Sequence, residues 1–294
     1  EINVEKDRQD MLVNMTPAEH HAVTTALKLF VKYELFVGTE YWLTRVMNKF
    51  PRPEVQRMAA VFGMTELAVH APFYNKLNEV LGLNTDEFYT SYVNDPVLKS
   101  RVDFLDSVVG SDDDLLSLAA FSIVEGAILF SSFAMFKNFQ SNGNNLIGAT
   151  VQGINQSILD EGLHQTAGAL LFKTVLSESD LSDEEKTKLF SGIKSVAKTI
   201  AEHEERIADM LFEKGPLRGI TAEQLKVFVR SRVNICLSDL GVEPIFAEEG
   251  NIIAGWFYTG MQSFMQVDFF AAVGREYQRG WAETDFVWNN KESV

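Results

Sequence analysis

Apolar residues recur roughly every three to four positions through most of the chain, and no stretch alternates convincingly with a period of two. The pattern predicts helices and no sheet core. Thr16-Pro17-Ala18-Glu19 joins an N-cap, a proline in the first turn and a glutamate at the capping-box position, and opens a helix running through Glu34 towards Asn48. Phe50-Pro51-Arg52-Pro53 breaks it, and a second long helix carries Glu66 and His70 up to Gly82. Asn94-Asp95-Pro96 marks a turn. Ser111 ahead of Asp112-Asp113-Asp114 predicts the cap of a helix through Phe136, and Ser141-Asn142-Gly143-Asn144-Asn145 interrupts the chain before the helix of Glu161 and His164. Ser182-Asp183-Glu184-Glu185 caps the next helix, which Gly215-Pro216 ends. Thr221-Ala222-Glu223-Gln224 caps another that Gly241 stops. With no Pro/Gly/Ser-rich linker and no repeat, the expectation is one all-α domain over 1–294.

A few charges in this apolar background have no solvated place to go. Glu125 is the clearest, because Leu118 to Phe136 carries no other charge on any face and belongs in the middle of a protein. A carboxylate on a core-facing helical position must be neutralised, paired or metal-bound. Glu34 is a second lone glutamate in an apolar helix. Glu66 with His70, and Glu161 with His164, each set a carboxylate and an imidazole close together on a helix. One Glu-x-x-His is common by chance, but the whole ordered set is far more specific. Glu34, Glu66, His70, Glu125, Glu161 and His164 form the ligand set of a carboxylate-bridged two-metal centre in the core of a helix bundle. Asp160 is a candidate to accept the outer ring proton of His70 or His164. Of the other histidines, His20 and His21 follow the first cap, and His203 among Glu202, Glu204 and Glu205 reads as part of a solvated face.

Composition narrows the partners. A net charge of -15 over 294 residues argues against nucleic acid or an anionic membrane. One cysteine, Cys236, excludes a disulfide framework and a cysteine metal cluster, and fits a cytoplasmic location. The longest apolar run, Leu115 to Phe136, is interrupted by Glu125 and several serines, so it reads as a buried core helix and not a membrane span.

Three segments carry a resemblance to a known family. The first is Val124-Glu125-Gly126 through Phe133, followed by Leu159-Asp160-Glu161-Gly162-Leu163-His164. The second runs from Glu204 to Phe246 and includes Ala208-Asp209-Met210-Leu211-Phe212, Gly219-Ile220-Thr221, Leu225 and Leu240-Gly241-Val242-Glu243-Pro244. The third is Val267-Asp268-Phe269-Phe270 with Glu276-Tyr277. Over nearly its whole length the chain resembles the small, radical-generating subunit of class I ribonucleotide reductases. That resemblance implies a ferritin-like helical bundle with additional helices and two metal ions per chain, iron, manganese or a mixture. It implies reaction of the centre with dioxygen or a reduced oxygen species, an oxidising equivalent stored on Tyr74, and a large catalytic subunit as partner of a homodimer. Tyr74 follows His70 where the family keeps its radical tyrosine, and Phe73, Leu129, Phe130 and Phe133 are candidates to keep it dry. His70 and Asp160 would begin the route to the partner. The family's route continues to a tryptophan upstream of the segment resembling Glu1-Ile2-Asn3, and its C-terminal tail lies beyond Val294, so the sequence is expected to be an ordered part of a longer polypeptide.

Several positions depart from the family pattern. Glu34 stands where aspartate is usual, a weak pointer to manganese-using relatives, and the spacing from Glu125 to Glu161 is slightly long. Three residues separate Glu66 from His70 where two are normal. Either a π-bulge absorbs the extra residue, or Leu67 takes the carboxylate position and a ligand is lost; Phe62-Gly63-Met64-Thr65-Glu66 favours the bulge. A slip of one residue would put Phe73 in place of Tyr74 and leave the oxidant on the metals. A ligand-binding oxidase of the same superfamily, a ferritin-like iron store and a metal-free helical scaffold are the rival functions.

Overall fold

The computed structural model describes residues 2–265, so the Val267–Tyr277 segment lies outside the described residues. Two compact units divide the chain, 1–253 and 254–294, and the first holds every candidate ligand. Among the described residues the structure is helical, with a single isolated β-bridge between Leu217 and Ile220.

Helix α1, Pro17–Phe36, opens on a capping box: Glu19 N donates to the Thr16 hydroxyl at 3.2 Å, and Thr16 N donates to the Glu19 carboxylate at 2.8 Å. It does not reach Asn48 in α form. Val37–Val46 winds as a π-helix and is followed by one short α turn, α2, Met47–Lys49. Helix α3, Pro53–Thr65, passes into a second π segment, Glu66–His70, and then into α4, Ala71–Leu81, which the left-handed Gly82 (φ 69°) terminates. Glycines let the first π segment approach both the second and α3: a Cβ on Gly38 would stand 2.9 Å from Leu67 Cγ, and one on Gly63 of α3 would stand 2.5 Å from Leu43 Cγ.

Asp86–Asn94 (α5) and Pro96–Val109 (α6) lead to α7, Asp114–Ala127, whose cap is Asp113, accepting from Leu116 N at 2.9 Å. Ser111, the expected cap, instead accepts from Asp113 N at 3.1 Å, two residues upstream of the cap that forms. The apolar run is also not one helix: Leu129 takes a left-handed conformation (φ 73°), and α8, Phe130–Asn138, starts after it. Long-range polar groups hold this break. Glu204 accepts from the Ser131 hydroxyl at 2.7 Å and from the backbone N–H groups of Leu129 and Ser131, while Arg232 donates to Gly126 O at 2.9 Å. The stretch Asp114–Asn138 is long and apolar enough to cross a membrane by composition, yet 89% of its most apolar window is buried inside the fold.

Helix α9, Gly148–Ser177, packs along α7, and α10, Asp183–Leu211, packs along α11, Ala222–Asp239. The start of α9 has no local side-chain cap. Its free N–H groups are taken by the N-terminal segment: Ala149 N and Thr150 N donate to Asp7, and Ile147 N donates to Asp10. His203 on α10 is buried, not solvated, with its ring edge-on to Phe104. Its neighbour Glu204 is buried too, at 3.2 Å from the buried Arg101. Helix α12, Ile252–Met265, begins at the end of the first unit.

Candidate metal centre

Four elements deliver the six candidate ligands to one buried place: α1 carries Glu34, the Glu66–His70 π segment carries both its ends, α7 carries Glu125, and α9 carries Glu161 and His164. All six are at most 2% exposed. A π turn holds one more residue than an α turn. Glu66 and His70, with three residues between them, therefore face the centre together and Leu67 is not a substitute ligand.

The donors fall into two groups, Glu34, Glu66, His70 and Glu161 in one and Glu66, Glu125, Glu161 and His164 in the other. Within each group the donor atoms all lie within 4.8 Å of one another. Two donors on opposite sides of a single ion, each about 2.1 Å away, stand about 4.2 Å apart, so each group has the size of one cation site. Glu66 and Glu161 belong to both. Glu66 divides its oxygens between the imidazoles, Oε2 at 2.9 Å from His70 Nδ1 and Oε1 at 2.8 Å from His164 Nδ1. The latter pair is close without the alignment of a hydrogen bond.

Whether these residues suit a pair of cations is answered by their unmet valences. Both oxygens of Glu34, both of Glu161 and Oε2 of Glu125 are buried without a hydrogen-bond partner. Several carboxylates that nothing in the protein satisfies are costly unless protonated or bound to metal. The carboxyl groups show this strain. Burial, reinforced by the neighbouring Glu66 charge, pushes Glu161 up to about 8 and holds Glu34 well above the usual carboxylate range. Burial and the Glu161 charge do the same to Glu125. Glu66 resists its burial because the His164 and His70 imidazoles stand against its two oxygens, and it falls well below the ordinary range. His70 overcomes burial through Asp160, Glu34 and Glu66, and rises. A hard donor set of carboxylates and imidazoles fits two divalent first-row cations.

Around this set the remaining candidates take distinct places. Asp160 receives His70 Nε2 at 3.1 Å, and its side chain is 41% exposed, so the pair leads from the buried centre to the surface. Tyr74 is fully buried on α4, and its hydroxyl donates to Ser157 at 2.8 Å. Burial and the Glu34 charge raise its pKa well above the usual phenol value. Its pocket is built by Phe30, at 4.4 Å between ring centroids, and Phe73 at 5.2 Å. Phe133 stands one ring further out, against Phe30, and Phe130 against Phe133. Phe73 packs over Gly153, where a Cβ would meet its ring at 2.1 Å. Leu129 forms the helix break. Sequence reasoning missed Phe30, Ser157 and Trp42, whose indole donates to Glu125 Oε1 at 2.7 Å. A tryptophan in the same apolar stretch as Glu34 was the available signal.

The family model for the ribonucleotide reductase small chain matches residues 1–252. The chain belongs to the ribonucleotide reductase small-chain family. It is 27% identical to a probable ribonucleoside-diphosphate reductase small subunit of Invertebrate iridescent virus 3, over 98% of this chain and 80% of the relative. Its fold is that of a putative class I ribonucleotide reductase from Bacillus halodurans (TM-score 0.77, 24% identity, 88% of this chain and 92% of that one). The dimanganese(II)-NrdF of Streptococcus sanguinis is also similar (TM-score 0.74, 20% identity, 86% and 88% covered). So is the ribonucleotide reductase R2 subunit of Clostridium botulinum (TM-score 0.74, 17% identity, 88% and 82% covered). A small-chain fold with a buried carboxylate–imidazole cluster of two-cation size is therefore established.

Proposed function

We propose that this chain is the radical-generating small subunit of a class I ribonucleotide reductase, working in the cytoplasm as a homodimer with a large catalytic subunit. The observation that carries the reading is the pair of donor groups sharing Glu66 and Glu161 beside the fully buried Tyr74. Glu34 and His70 would hold one cation and Glu125 and His164 the other, with Glu66 and Glu161 between them. Such a pair, iron, manganese or mixed, supplies oxidising power when it reacts with dioxygen or a reduced oxygen species. The protein's own part is geometric and protic. Phe30 and Phe73 exclude water from Tyr74, Ser157 accepts the hydrogen bond of its hydroxyl, and His70 with Asp160 offers a proton-coupled way out towards a partner. The dimanganese centre of the Streptococcus sanguinis relative and the glutamate at position 34 both favour manganese.

The test is reconstitution with Fe(II) or Mn(II) and an oxidant, followed by metal analysis and electron paramagnetic resonance. The expected result is two metals per chain and a tyrosyl signal that Tyr74→Phe abolishes, with turnover once the large subunit is added. Two bound metals with neither radical nor turnover would overturn this reading in favour of a ligand-binding oxidase or an iron store.

A further inference from the structure

The two donor groups are not equal. Beside His70, Glu34 keeps both carboxylate oxygens free of hydrogen bonds; beside His164, Glu125 keeps only Oε2. The difference is made by Trp42, whose indole Nε1 donates to Glu125 Oε1 at 2.7 Å. Glu66 Oε2 is hydrogen-bonded to His70 Nδ1 at 2.9 Å, but that bond joins two members of the ligand set and would give way to a cation, whereas the Trp42 bond comes from outside the set.

Trp42 has little freedom to withdraw. It is 1% exposed, with its ring edge-on to Tyr41 at 4.9 Å and to Phe62 at 5.0 Å. Tyr41 is in turn stacked on Phe121 of α7 at 3.4 Å, and Phe62 lies against the His164 ring at 4.2 Å. The indole, Glu125 and His164 are thus locked into one packed unit. A hydrogen bond to an ionised carboxylate is among the stronger kinds, and a buried one is not exchanged for water.

We propose that Trp42 is a positioning residue that makes the two cation positions unequal. By engaging one oxygen of Glu125 it restricts that carboxylate to single-oxygen ligation. The position beside His164 would then bind its cation more weakly and fill second. The position beside His70, with both Glu34 oxygens available, fills first. This rests on the two-cation reading above.

The experiment is an anaerobic Mn(II) titration of the full chain, with free Mn(II) read by electron paramagnetic resonance. Two separated steps are expected for the natural protein. In Trp42→Phe the second step should tighten by about tenfold, the scale of a hydrogen bond to a charged group, with the first unchanged. Equal steps in the natural protein, an unchanged separation in the variant, or both steps weakening together would overturn the proposal. Fewer than two Mn(II) per natural chain would overturn the two-cation reading and this inference with it, so the two failures are distinguishable. A second measurement holds even where Trp42→Phe fails to fold. With Trp256→Phe, Trp281→Phe and Trp288→Phe leaving Trp42 as the sole indole, its N–H nuclear magnetic resonance signal should shift over the second equivalent of Zn(II). A shift over the first equivalent, or none, would refute the assignment.

Discussion

Replacing Arg101 with methionine tests how the helix break beside the centre is held. Arg101 on α6 and Glu204 on α10 are 1% and 0% exposed, with 3.2 Å between their charged atoms. Methionine keeps much of the aliphatic stem but leaves the Glu204 carboxylate, among the described residues, without its cation and with the Ser131 hydroxyl and two backbone N–H groups as its partners. Orphaning one member of a buried pair costs about 3–5 kcal/mol, out of a total domain stability of about 5–15 kcal/mol. Urea unfolding at pH 7 should show a loss of that size. The deficit should also depend on pH with a definite sign. Burial already raises Glu204 above its ordinary value and Arg101 pulls it back, so the variant raises it further. The folded variant then keeps a proton that the unfolded chain releases above about 4.5. Its stability is fully present below that value and is lost as pH rises through the folded pKa, so the deficit shrinks as pH falls from 7 towards 5. Glu204→Gln alone should cost a similar amount without that dependence, and the double variant should recover at least about 2 kcal/mol as coupling energy. A loss below about 1 kcal/mol, or strict additivity, would refute the reasoning.

Two further outcomes follow from polar groups at a distance from the metal ligands. Asp7→Ala removes the acceptor of two N–H groups at the start of α9, so it should cost about 1–2 kcal/mol and speed amide exchange in the first turn of that helix; unchanged exchange there would contradict the capping role. His203 is pushed down to about 4 by burial, with Arg206 and Arg101 adding to it. Its contribution is therefore full above about 6.5, the unfolded value, and is lost as pH falls to about 4, by at most about 3 kcal/mol. His203→Gln should flatten the stability profile across that window, and parallel profiles for the two proteins would exclude the effect.

Much of the fold was legible because its punctuation is local. The capping boxes at Thr16, Ser182 and Thr221 need only four residues each to declare themselves, and all three form. The six candidate ligands were legible because a charge in an apolar helix has few tolerable fates, and the structure brings the six together. What escaped depended on partners far along the chain. The break at Leu129 is held by Glu204 and Arg232, and nothing between Leu118 and Phe136 announces it. His203 looked solvated because its sequence neighbours are glutamates, yet a helix turns each neighbour to another side, and His203 and Glu204 face inward. Trp42 was hidden for a related reason: Val37–Val46 winds as a π-helix, and α-helical counting misplaces its faces.

The π turn at Glu66–His70 fixes the phase between α3 and α4 as well as the ligands at its own ends. One residue of α-helix corresponds to about 100° of rotation. Excising Ala68 would close the turn to α form, and His70 and Tyr74 could keep their seats only by swinging Ala59 and Phe62 out of the interior. A one-residue deletion that a surface loop would absorb is therefore incompatible with this stretch. In this chain the number of residues from Phe62 to Tyr74 matters as much as the chemistry of the side chains it aligns.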